Sequence, residues 1–195
     1  MNYLAHLALS QSSVESRVGN LLGDFCKGVD TKALPVGIQA GLANHRLVDR
    51  LTDQHPQVKY LKTLISPQRR RFAGVILDLC FDHFLIAHWH EFYEGDYHLS
   101  KGEFFEQLTL GLPLMPERMQ YVVSRVVAQD WFETYERVEG VGFALDRIAQ
   151  RIRFTNQFEG SIEEIDTHYT QIEQSFLTLY PEIQAQVADA RLELL

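Results

Sequence analysis

The sequence predicts an all-α fold, a single-domain helical bundle, on three observations. Apolar residues return at three- and four-residue spacing almost throughout the chain, the period of one helix face. Clean two-residue alternation, the mark of a half-buried strand, is scarce. The six prolines (Pro35, Pro56, Pro67, Pro113, Pro116 and Pro181) sit between the apolar-periodic segments, where proline starts or ends a helix. In order, the pattern places helices over 2–10, 13–28, 35–54, 57–65, 67–91, 101–112, 116–128, 130–153 and 161–192. "SPQRRRF" reads as a helix start, with Ser66 as cap and Pro67 in the first helical position. The eighth segment is expected to break near Gly140, the ninth to bend at Pro181, and "YEGDYHLSKG" is the most loop-like stretch. No repeat, low-complexity tract or composition shift divides the 195 residues, a length that suits one core.

Composition narrows the class of function. The formal charge of −8 argues against nucleic acid or anionic membrane as partners of the whole protein. The charge is uneven, because Arg46 to Arg71 carries seven cations against Asp49 and Asp53 and leaves −13 elsewhere. That window is either a solvated helix face or a docking patch for an acidic partner or a phosphate. Cys26 and Cys80 are far apart among apolar neighbours, which suggests free thiols in a reducing compartment. "MNYLAHLALS" lacks a basic leader and a cleavage site, and no apolar run reaches spanning length. A cytoplasmic location is therefore expected.

The chemistry concentrates on ionisable residues in apolar helices. "LDLCFDHFLIAHWH" (77–90) is apolar nearly all round, as buried helices are. On a helical wheel Asp78 and Asp82 share a stripe, about 40° apart. Two carboxylates one turn apart repel and need a cation or a proton between them. Arginine partners or a metal ion both answer that need, and His83 alone reads as a satisfied core histidine. "ANHRLVDRLTD" sets His45 and Asp49 four apart on one face, with Arg46 and Arg50 on the adjacent stripe. Such a pair binds one divalent ion or forms a simple ion pair. His6 in "NYLAHLALS" and Asp24 in "GNLLGDFCKG" add two more segments. Four segments offering histidine or aspartate from apolar surroundings can converge in one bundle interior. Imidazole with carboxylate suits manganese, iron or zinc; mainly carboxylate sites suit manganese or magnesium. His88 reads as core or rim, His55, His90 and His98 as solvent-facing, and His168 as packing on an amphipathic helix.

The ordered set "MNYLAHLAL", "GNLLGDF", "HRLVDRLTD", "LDLCFDHFLIAHW" and "IDTHY…LYPEIQAQ" resembles the acyl-carrier-protein phosphodiesterase family, over residues 1 to about 186. The resemblance implies an HD-domain-like all-helical enzyme with a divalent metal, usually Mn2+, with Mg2+ or Fe2+ as alternatives. It implies hydrolysis of the phosphodiester between 4′-phosphopantetheine and a serine of holo-acyl carrier protein, an acidic partner. The side-by-side His-Asp pair of the wider HD group is missing; Asp82-His83 is reversed, and His45 and Asp49 stand one turn apart.

The metal ligands implied are His6, Asp24, His45, Asp78, Asp82 and His83, with Asp49 as ligand or base. A divalent ion suits the reaction because it neutralises the phosphodiester and brings the pKa of bound water from about 16 to about 7. Arg46 or Arg50 would clamp the non-bridging oxygens. Arg69, Arg70, Arg71, Lys59 and Lys62 would form part of the carrier-protein docking surface. Two other readings remain at this level: an HD-like hydrolase of a nucleotide or other small phosphorylated molecule, and a non-catalytic carrier-protein-binding module.

Overall fold

Eleven α-helices and three short 3-10 turns, with no strand, make up the described residues, 1–194, of a computed structural model. The helices are α1 (Tyr3–Ala8), α2 (Val14–Leu22), α3 (Val36–Gln54), α4 (Pro56–Leu64), α5 (Ala73–Ala87), α6 (Trp89–Phe92), α7 (Tyr97–Gly111), α8 (Glu117–Ala128), α9 (Trp131–Thr134), α10 (Val138–Ala149) and α11 (Ile162–Ala190). The all-α prediction holds. Helix α5 sits at the centre, against α1, α10 and α11, and its Ile76, Phe81, Phe84 and Leu85 have no exposed surface. One continuous apolar cluster draws on nearly every element.

Local chemistry explains the boundaries. Ser13 caps α2 by accepting the Ser16 amide (3.2 Å), and Asp96 caps α7 by accepting from His98 and Leu99. That second cap starts α7 four residues earlier than periodicity suggests, inside the stretch expected to be loop. Helix α2 stops at Leu22 and passes into a 3-10 turn over Gly23–Phe25, short of the expected residue 28.

The expected start at Pro67 fails, because the hydroxyl and amide of Ser66 go to Glu164 across the bundle. Residues 66–69 form a turn, and α5 begins at Ala73 after a 3-10 turn. The break expected near Gly140 falls at 135–137, and Gly140 enters α10 beside α9. A Cβ on Gly140 would lie 1.7 Å from the Thr134 carbonyl. In α11 the non-helical residue is His168 (φ −118°, ψ 18°), whereas Pro181 sits within helical dihedrals.

The closest helix pair sets up the site. Gly19 of α2 and Gly41 of α3 face each other with no side chain between them. A Cβ on Gly19 would fall 2.4 Å from the Ile38 carbonyl, and one on Gly41 would fall 2.7 Å from that of Ser16. This contact brings the end of α2 beside the middle of α3, where His45 and Asp49 project.

Candidate metal centre

His6, His45 and Asp49 converge from α1 and α3, with one potential ligand atom from each lying within 4.8 Å of the others. The two imidazoles stack at 4.0 Å between centroids and 20° between planes. His6 Nε2 is 3.1 Å from Asp49 Oδ1, and His45 Nε2 is 3.0 Å from Asp49 Oδ2. Both rings are buried, while Asp49 is 42 % exposed and opens the cluster to solvent.

Each ring has a physical reason for its orientation. The end of α2 leaves carbonyls without intrahelical partners, and the Asn20 carbonyl takes His45 Nδ1 at 2.8 Å. A carbonyl only accepts, so Nδ1 carries the proton and Nε2 is the atom turned to Asp49. Gly23 makes room for the ring, since a Cβ there would meet it at 2.0 Å. His6 differs, with neither ring nitrogen making a well-aligned hydrogen bond although both are buried. The Asp49 contact is close but off the line that a ring N–H would need. Burial holds His6 down at about 4, outweighing the pull of Asp49, so the ring is neutral at pH 7.

A neutral, buried imidazole facing a carboxylate at 3.1 Å with no aligned hydrogen bond leaves a ring nitrogen and a carboxylate oxygen free to share a ligand. The arrangement fits a cation held by both. Burial tends to raise Asp49, but the contacts with His45 and His6 win and hold it well below the usual carboxylate range. Burial likewise tends to lower His45, and Asp49 outweighs it and raises the ring. Two imidazoles and a carboxylate are a donor set for manganese, iron or zinc.

Beside the cluster lies a cleft of about 140 Å³ whose polar lining includes Asp24, Asp49, Asp53, Asp78 and Lys62. The Met1 amino group also borders it, 3.1 Å from Asp78 Oδ1 and 3.6 Å from Asp49 Oδ1. Asp24 is raised, first by burial and then by Asp49 and Asp78, with His45 pulling the other way. Four carboxylates against Lys62 and one amino group repel an anionic substrate on their own, a second reason to expect a bound cation here.

The other expected site residues divide cleanly. Asp82 and His83 are not gathered with the cluster. Asp82 has no exposed surface and accepts the Leu4 and Ala5 amides at 3.2 and 3.0 Å, capping α1 from across the bundle. Burial raises it to about 7, against those two hydrogen bonds. His83 donates from Nδ1 to the Tyr135 carbonyl (2.8 Å) and accepts at Nε2 from the Tyr169 hydroxyl (3.1 Å). Every polar atom of this pair is satisfied within the protein, so both leave the ligand set. Arg46 and Arg50 are exposed on α3 and do not line the cleft, which removes the geometric ground for a phosphate clamp there.

Among the docking cations, Arg69 is a strut, bonded to Glu163 and to the Gln157 and Glu159 carbonyls. Lys62 pairs with Asp53 at 3.0 Å in the cleft. Arg71 lies over the Phe154 ring at 4.4 Å, Arg70 is turned to the Thr63 carbonyl, and Lys59 is exposed. Asp53, one turn beyond Asp49 on the same face of the helix, reaches the cleft, and Asn20, Gly23 and the Met1 amino group join the site without being expected. Asn20 and Gly23 do stand out in "GNLLGDF" as polar and small residues in an apolar run, whereas nothing local marks Met1.

Comparison with known proteins shows the family. The family model described as acyl carrier protein phosphodiesterase matches residues 1–183. Curated relatives named acyl carrier protein phosphodiesterase include one from Serratia proteamaculans, 35 % identical over 98 % of this chain and all of its own length. One from Yersinia pestis is 34 % identical over 95 % of this chain and 97 % of its own, and one from Escherichia coli O157:H7 is 32 % identical over 96 % and 98 %. No solved structure matches. With its motifs spread in order along nearly the whole length, the chain belongs to the acyl carrier protein phosphodiesterase family.

Proposed function

We propose that the protein hydrolyses the phosphodiester linking 4′-phosphopantetheine to the serine of holo-acyl carrier protein, giving apo-acyl carrier protein. In this reading a divalent ion, Mn2+ before Mg2+ or Fe2+, is held by His6 Nε2, His45 Nε2 and Asp49. The observation that carries the metal assignment is the neutral, unpartnered His6 ring turned to the Asp49 carboxylate at 3.1 Å. When bound, the ion supplies Lewis acidity and a nucleophilic water.

The chain's own groups do the rest. The Asn20 carbonyl fixes the His45 tautomer. Asp78 and Asp24, on the cleft wall, orient the attacking water and take its proton. Lys62 is the cleft cation placed to meet a non-bridging phosphoryl oxygen, in exchange for its surface pair with Asp53. Lys59, Arg70 and Arg71 remain available to an acidic carrier protein, while Arg69 is committed to the fold. The HD-like kinship rests on the resemblance of sequence motifs. Among the described residues, no helix is long and apolar enough to cross a membrane.

The test is incubation of holo-carrier protein with the enzyme and Mn2+, followed by intact mass spectrometry. Loss of the phosphopantetheine mass is expected. Intact holo-protein beside turnover of a nucleotide panel would replace the substrate assignment, and no turnover of either would overturn the catalytic reading.

A further inference from the structure

The tail after α11 reaches the back of the metal cluster. Arg191 takes a left-handed conformation (φ 49°), ending the helix and turning the chain toward the start of α2. There Glu193 Oε1 accepts from the Ser16 hydroxyl (2.5 Å) and from Asn20 Nδ2 (3.0 Å). Ser16 Oγ in turn accepts the Gln11 amide at 2.9 Å. Asn20 Oδ1 accepts from Asn44 Nδ2 at 3.0 Å, and that same amide donates to the Leu9 carbonyl at 3.1 Å. Asn20 and Asn44 have essentially no solvent exposure, so their side chains depend on these protein partners. Asn44 is the residue before His45, and the Asn20 carbonyl holds the His45 ring.

We infer that Glu193 is a positioning residue for His45, acting through Asn20; the catalytic part of this inference rests on the proposed function. A carboxylate is an obligate acceptor, whereas an asparagine amide presents donor and acceptor ends of nearly equal shape. With Glu193 at one end, only the amide orientation that turns Nδ2 to the tail and Oδ1 to Asn44 satisfies every group. Without Glu193, the Asn20 side chain keeps the Ser16 carbonyl (3.1 Å) at Nδ2 and Asn44 Nδ2 (3.0 Å) at Oδ1, but loses the anchor that the tail supplies. The three-way tie of α1, α2 and α3 immediately before His45 then slackens. The tail lies beyond the residues that the family model matches, so this support is added from outside the matched region.

The test compares wild type with Glu193→Ala and Glu193→Gln. In metal-free protein, nitrogen-15 NMR reads the solvent exchange of the His45 Nδ1 proton, and titration reads the Mn2+ dissociation constant. Glu193→Ala is expected to raise both by about tenfold, the low end for loss of a group supporting a metal ligand. Glu193→Gln keeps an acceptor oxygen and is expected to bring both back to within about twofold of wild type. With holo-carrier protein, the alanine variant is expected to lower kcat and leave KM unchanged. Should the alanine variant not fold, Ser16→Ala loosens the same contact and is expected to move both metal-free readouts in the same direction. Unchanged proton exchange and Mn2+ affinity, with only the melting temperature altered, would overturn the inference. If wild type does not hydrolyse holo-carrier protein, the proposed function fails while the NMR result still decides the role of Glu193.

Discussion

Two regions place histidine and aspartate on apolar helices, and they compensate the burial in opposite ways. On α5, Asp82 caps α1 and His83 spans Tyr135 and Tyr169, so each polar atom ends on a protein partner. At the α1–α3 contact, His6 has no aligned partner and Asp49 gathers two imidazoles. Burial of a polar group demands a partner but does not dictate its kind. The informative feature is the polar atom left over after the protein's own hydrogen bonds are made.

The sharpest way to break this contrast is to delete one residue from each region. His45→Gln and Asp49→Asn are expected to cut kcat/KM by at least about a hundredfold, since losing even a supporting group of a metal ligand costs up to that much. Both variants should keep their helical circular dichroism. Asp82→Ala strips two buried amides of their acceptor at about 1–3 kcal/mol each, which for this size lowers Tm by roughly 10 °C. If His45→Gln costs only stability, or Asp82→Ala costs only turnover, the two regions have been assigned the wrong way round.

A pH comparison sharpens the same point at a slightly smaller scale. His6 sits at about 4 in the fold against about 6.5 when exposed. Between those values the unfolded chain binds the extra proton, so stability falls as pH drops from about 6.5 toward 4, by about 3 kcal/mol in all. Asp82, raised to about 7, works in the opposite direction over much of that window. The readout is therefore the difference between wild type and His6→Gln in metal-free protein. That difference should shrink as the pH falls. A constant difference would mean that His6 is not held neutral by burial.

Much of this could be read in the sequence, and the exceptions have a common cause. Periodicity and proline placement found the helices, because each must bury a continuous apolar face. The motifs holding His6, His45 and Asp49 were visible as polar residues in apolar runs, and Asp78 and Asp24 do line the cleft. Asp82 and His83 looked equivalent to them, since spacing cannot show that the Leu4 and Ala5 amides and the Tyr135 carbonyl arrive from 50 to 80 residues away. Arg69 misled for the same reason, its partners being residues 157–163. Helix starts at Ala73 and Tyr97 turned on which side chain a capping residue bonds, a tertiary fact in the case of Ser66.

The smallest expected effect concerns the basic window. Charge reversal at Lys59, Arg70 and Arg71 together should raise KM for holo-carrier protein a few-fold at low salt and fade as salt is added, as exposed charges do. Arg69→Glu should instead lower Tm, because it breaks the ties to Glu163 and to two carbonyls. An unchanged KM in the triple variant would remove the docking role.

The most direct test of the central contrast is Mn2+ binding, followed by electron paramagnetic resonance, in wild type, His45→Gln and His83→Gln. Bound Mn2+ in wild type and His83→Gln, with its loss in His45→Gln, is the predicted result. Loss in His83→Gln, or retention in His45→Gln, would contradict it.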